Sequence, residues 1–162
     1  MSFKNKKKQK FRHLGALDKL DKIEETRFLI EAERWHEAIE FLREILKSYP
    51  TEVRFWQFLA AAASQVSDAL TMQEAFGALK RLTPADREAG LGLAFAYALD
   101  DRIALSYREL QDFLQNSPAD EKSDEAARMM DQQEIALLEL LARFGFPDGE
   151  EGLELACLHE EA

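Results

Sequence analysis

The residues of this chain with chemistry to offer are three histidines, one cysteine and a surplus of carboxylates, and their spacing assembles no reactive set. His13 lies in a basic stretch, His36 sits beside Glu37 on a helical segment, and His159 lies near the C-terminus. None has a partner at a metal-ligand spacing such as His-x-x-x-His, so no metal site is expected. Cys157 stands alone, which excludes an internal disulfide and leaves no cysteine cluster for zinc. Paired carboxylates recur at Glu24-Glu25, Asp100-Asp101 and Glu160-Glu161. Such pairs can divide acid and base roles, but in a chain of net charge −10 they read as a solvated face. Gly90 and Gly92 fall inside a helical pattern with no strand before them, so they read as points of close helix packing rather than a phosphate loop. With no nucleophile, base and oxyanion donors in one place, the chain reads as not an enzyme, with no catalytic residue and no cofactor.

Charge is unevenly placed. Lys4, Lys6, Lys7, Lys8, Lys10 and Arg12 crowd one short stretch without an acid, so the rest of the chain is more acidic than the total of −10. From Phe144 onward there are six acids and no Lys or Arg. An acidic body is a poor general binder of nucleic acid, which needs phosphate neutralisation. No apolar run approaches the roughly 20 residues of a membrane span, and the basic stretch has no apolar segment after it to make a secretory signal. A cytoplasmic location is expected.

The elements that would position a site are helices throughout. Glycine is scarce, and apolar residues recur at three- and four-residue steps from about Leu17 to Phe146. Three of the four prolines, Pro50, Pro84 and Pro118, stand 34 residues apart, each opening a turn that closes on an acid: Glu52, Asp86 and Asp120. Proline cannot continue a helix, so equal spacing predicts helix ends at equal intervals. The pattern predicts helix pairs over residues 19–33 and 36–48, 53–66 and 70–82, and 87–99 and 103–116. A seventh helix is predicted over 123–144, with Ser123 as N-cap and an apolar stripe of Ala127, Met130, Leu137, Leu141 and Phe144. After Pro147-Asp148-Gly149, the residues Leu153, Leu155, Ala156 and Leu158 start another amphipathic pattern.

In windows beginning at Lys19, Val53 and Arg87, the second helices align Ala38 with Met72 and Ser106. Leu42 then aligns with Phe76 and Leu110, and Ile45 with Leu79 and Phe113. On the first helices, Leu59-Ala60 aligns with Leu93-Ala94 and Ala63 with Tyr97, while Trp56 holds the large aromatic position. A fixed period of this length marks stacked repeats. The pattern resembles the tetratricopeptide repeat family, over roughly residues 19–120. The first window departs from it, with Lys22, Glu25 and Thr26 at signature positions, and Gly90 replaces the aromatic of the third. The resemblance implies an all-α fold, a right-handed α-solenoid of antiparallel helix pairs, with three repeats and a C-terminal packing helix. The organisation expected is a basic, disordered tail over 1–16, the helical domain over 17–146 and an acidic segment over 147–162. That last segment is either a capping helix or the start of a further repeat.

The resemblance also implies a function, that of a protein-protein interaction scaffold taking a helix or an extended peptide into a concave groove lined by the first helices. Carried over residue by residue, the partner groove comprises Arg27, Glu31, Arg54, Gln57, Ala61, Ser64, Gln65, Leu91 and Phe95. Ile23, Ile30, Glu88, Ala98 and Leu99 also fall at groove positions of the family. Family members that hold heat-shock chaperone tails clamp the terminal carboxylate with Lys and Asn, plus Lys and Arg. The matching positions here are Ile23, Arg27, Phe58, Glu88 and Gly92, so that clamp is not expected. The partner is then a protein or peptide of unknown identity. An alternative reading makes the basic tail an anionic contact through its six cations, tethering the chain weakly to RNA, the ribosome or a membrane surface.

Overall fold

The computed structural model describes the backbone of residues 3–116 and 119–162, with side chains from Gly15 onward in those ranges. The side chains of Lys4 to His13 and the residue Pro118 lie outside the described residues. Among the described residues eight helices follow one another: α1 (Phe3–Glu31), α2 (Trp35–Ser48), α3 (Val53–Gln65), α4 (Ala69–Leu82), α5 (Arg87–Leu99), α6 (Ile103–Gln115), α7 (Glu121–Phe144) and α8 (Glu150–Glu161). Most boundaries fall within two residues of the expected ones. The exception is α1, which runs back to Phe3 rather than starting near 19. Lys, Gln and Arg are good helix formers, and neither proline nor glycine interrupts the chain before Gly15.

The chain divides into two compact units, residues 1–66 and 67–162. In the first, α2 packs between α1 and α3, and α1 also touches α3. In the second, α4, α5, α6 and α7 pack each against the next, and α8 returns onto α6 and α7. Eight of the nine aligned positions behave alike, since Ala38, Met72, Ser106, Leu42, Leu110, Ile45, Leu79 and Phe113 are all buried, while Phe76 is half-buried. Ser106 satisfies its hydroxyl on the Ala94 carbonyl oxygen at 2.9 Å, joining α6 to α5. Thr26, at a position where the first window departs from the repeat pattern, is wholly buried and donates to the Lys22 carbonyl oxygen at 2.7 Å. A hydroxyl bonded back to its own helix is tolerated in a core.

The 34-residue period is also written in the backbone. The turns entering α2, α4 and α6 each place one non-glycine residue in the left-handed region: Glu33 (φ 55°), Ser67 (φ 52°) and Asp101 (φ 56°). After α1 and α5 the next N–H reaches five residues back, from Arg34 to Leu29 O at 2.9 Å and from Arg102 to Tyr97 O at 2.9 Å. This is the left-handed helix stop in which glycine is the usual residue. The acid of each proline turn is the residue just before the next helix. Asp86 accepts the Glu88 N–H at 3.0 Å, and Asp120 accepts the Ser123 N–H at 2.9 Å. Asp120 is therefore the N-cap of α7, replacing the expected Ser123. Glu52 caps nothing and instead takes Lys19 at 2.7 Å.

The apolar stripe of α7 is shifted from the expected one. Leu137 and Leu141 are buried and Met130 is half-buried, but Ala126 takes the place expected of Ala127, and Phe144 is exposed. Leu137 and Leu141 share a cluster with Ala104, Leu105, Leu153, Ala156 and Cys157, which seats α8. Of the expected apolar residues on α8, Leu155 and Leu158 remain exposed.

Candidate functional site

On the first helix of each expected pair, one row of side chains faces away from the core. In the first unit, α3 exposes Arg54, Gln57, Ala61, Ser64 and Gln65 at three- and four-residue steps, while Phe55, Leu59, Ala62 and Ala63 are buried behind them. A helix of 3.6 residues per turn separates the two sets. The neighbouring α1 exposes Arg27 and Glu31. Neither arginine has a carboxylate partner among the described residues. Ser64 donates to the Ala60 carbonyl oxygen at 2.7 Å, and with Ala61 it leaves a stretch of small side chains where another backbone could approach. Ile23 is an exception to the expected groove, for it points into the core at 5% exposure. Ile30 is half-buried.

In the second unit, α5 presents Phe95 at 49% and Leu99 at 43% exposure. Leu91 and Ala98 are half-buried, and Leu91 packs with Met129 and Met130 of α7 against the cluster of Ala94, Leu110, Phe113 and Ala126. Thus α7 covers the Leu91 end of α5 and leaves Phe95 to solvent. Gly92 answers the expectation of close packing, since a methyl there would run into the Phe76 ring of α4. Gly90 has open space.

The groups with chemistry to offer are apart. His36 is exposed on α2, and the His159 ring packs at a tilt against Phe144, centroids 4.4 Å apart. Cys157 is buried in the seat of α8, and burial pushes its thiol up to about 11, so it is an unreactive core side chain at neutral pH. Among the described residues no three His, Cys, Asp or Glu side chains are grouped to hold a metal. No helix of the described residues is long and apolar enough to cross a membrane.

Two carboxylate pairs have structural partners that their sequence context did not show. Asp100 accepts from Gln73 at 3.0 Å and from Arg102 at 2.9 Å. Glu160 reaches back from α8 and accepts the N–H groups of Ala104 and Leu105 at 3.1 and 3.0 Å, while Glu161 takes Arg108 at 2.8 Å. A carboxylate at the start of α6 satisfies orphan donors and suits the helix dipole. Asp120 is also engaged twice. Arg87 pairs with it at 2.5 Å, and with the Ser123 N–H holds its carboxyl down to about 2. A cleft of about 690 Å³ between α6, α7 and α8, lined by Tyr107, Arg108, Leu137, Leu138 and Glu150 among others, was also not foreseen.

No family model matches the chain, and no curated protein matches it. Among solved structures, the chain is similar to the first tetratricopeptide domain of Spaghetti (RPAP3), determined bound to the HSP90 peptide SRMEEVD. The TM-score is 0.59 at 14% sequence identity, over 74% of this chain and 92% of that domain. The likeness shows the fold, an all-α array of helix hairpins of the tetratricopeptide kind.

Proposed function

We propose that this chain is a non-enzymatic interaction scaffold that holds a protein or peptide partner against the outward rows of its first helices. The observation that carries the reading is the row on α3. Arg54, Gln57, Ala61, Ser64 and Gln65 are all exposed, although the other apolar positions from Phe55 to Ala63 are buried except Trp56 and Phe58, which are half-buried. Polar groups beside small ones suit an extended segment or a helix laid along the surface. Arg27 and Glu31 extend the row onto α1, and Leu91 and Phe95 give the second unit a more apolar counterpart.

The structural neighbour's ligand is a chaperone peptide, and several features of this chain point to a partner of another kind. Of the five positions that would build a carboxylate clamp, Ile23 is in the core and Gly92 lies under Phe76. Glu88 is an acid paired with Lys122, and only Arg27 is basic. A terminal carboxylate needs cationic and amide donors converging on it, and these residues supply one cation. The test is partner capture from lysate by the full chain against the double variant Arg54→Glu, Gln57→Glu. Capture is expected to fall at least about tenfold, the scale of losing one charged contact, with helicity by circular dichroism unchanged. Equal capture by both proteins would remove the α3 row from the reading.

A further inference from the structure

Between α1 and α2 of the first unit lies an open groove of about 490 Å³ lined by the apolar Phe28, Leu29 and Phe41 and by four acids, Glu25, Glu37, Glu40 and Glu44, with Arg34 the one cation among them. Phe28 is 62% exposed, an aromatic ring left largely in water. Glu37 and Glu44 are engaged locally by Arg34 and Lys47, whereas Glu25 and Glu40 have no partner among the described residues. An apolar lining set among acids calls for an apolar, strongly basic segment.

This chain contains such a segment: Phe3 to Arg12 holds six cations, two phenylalanines and no acid. It cannot fill the groove of its own molecule. The segment and Glu25 belong to the same continuous helix, α1, and Arg12 lies about 20 Å from Glu25 at 1.5 Å per residue. We propose that the groove receives the basic segment of a second copy of the chain, with two α1 helices antiparallel in a symmetric dimer. A two-fold axis makes one contact serve twice, since each basic end meets the other molecule's acidic groove. A parallel pairing would set base against base. Leu17 and Leu20, exposed at 46% and 53%, fall midway between Arg12 and Glu25 and would meet their own copies at the axis. They supply the apolar centre that an ion-pair interface alone would lack.

The test is the mass of the full chain in solution, by sedimentation velocity at about 50 mM and about 500 mM salt, since screening weakens exposed pairs. A dimer is expected at low salt, with dimerisation weakened at least tenfold at high salt. Two charge-reversed proteins sharpen the test: Glu25→Lys with Glu40→Lys, and Lys6→Glu with Lys7→Glu and Lys10→Glu. Each alone is expected to be monomeric, and an equal mixture is expected to dimerise, because the unaltered basic segment of the first variant then meets the unaltered acidic groove of the second. Recovery on mixing also shows that both variants are folded. A wild-type chain that stays monomeric at low salt, variants that dimerise as well as wild type, or a mixture that stays monomeric would each overturn the proposal. So would a monomeric wild type whose binding to a single-stranded RNA oligonucleotide is lost in the Lys variant, which would assign the segment to nucleic acid.

Discussion

The three second helices α2, α4 and α6 begin at equivalent positions, after Arg34, Asp68 and Arg102, yet their first turns are treated in three different ways: uncapped, capped locally and capped from a distance. In the first unit, α2 receives no side-chain acceptor from its N-cap residue. In the second unit, α4 is capped by its own Asp68, which accepts the Thr71 N–H at 3.1 Å. The N-cap of α6 is again an arginine without an acceptor, and Glu160 of α8 supplies the missing carboxylate from 55 residues away. The repeat frame decides where a helix starts, but the groups that satisfy its first N–H donors are recruited separately. Where the repeat position itself lacks an acceptor, the second unit has an extra helix to provide one.

The comparison breaks most severely through the seat of α8. A methyl group on Gly152 would collide with the Pro147 carbonyl oxygen, a backbone atom that cannot swing aside. Gly152→Ala is therefore expected to cost about 3 kcal/mol, at the upper end of overpacking effects, read as a lower midpoint in urea unfolding. It should also strip α6 of its distant cap. A more selective break is Glu160→Ala, which leaves the apolar seat intact and is expected to cost about 1–2 kcal/mol, the range of a lost N-cap. Amide exchange at Ala104 and Leu105 should quicken while that of α4 does not, and uniform change across both helices would contradict the capping role. The smallest change should repair the first unit. Glu37 stands three residues after Arg34, so Arg34→Ser would create a capping box. A gain of about 0.5–1 kcal/mol is expected, because the exposed Arg34–Glu37 pair given up is worth little. A lower urea midpoint would show that the arginine matters more than the cap.

Much of this arrangement was legible in the residues. Prolines and three- and four-residue apolar steps located seven helices and the restart after Gly149, because both signals arise within one element. The core register of Ala38, Met72 and Ser106 followed from the same period. Local caps were half legible: the acids of the proline turns were visible, but the sequence pointed to Ser123 rather than Asp120 as the cap, and only the turn geometry decides. The left-handed turns were hidden because Glu33, Ser67 and Asp101 stand where glycine would have announced them. The Glu160 cap was invisible for another reason, namely that sequence distance carries no sign of contact across 55 residues. At the candidate face, the α3 row came from the family resemblance, and helical phase accounts for its exposure. Ile23 did not, because the family frame placed it outward while its own apolar side chain turned to the core.

Glu33, Ser67 and Asp101 bear on how such a chain can change its length. They share one backbone conformation, and each hands on to a helix that starts at the equivalent residue. The stretches between them are thus interchangeable at both ends, like links cut to a single gauge. Excision or duplication of 34 residues between two such points rejoins a turn of the same shape to a helix in the same phase. Growth and loss in this molecule have whole repeats as their natural unit, and an insertion of any other length must first undo a turn.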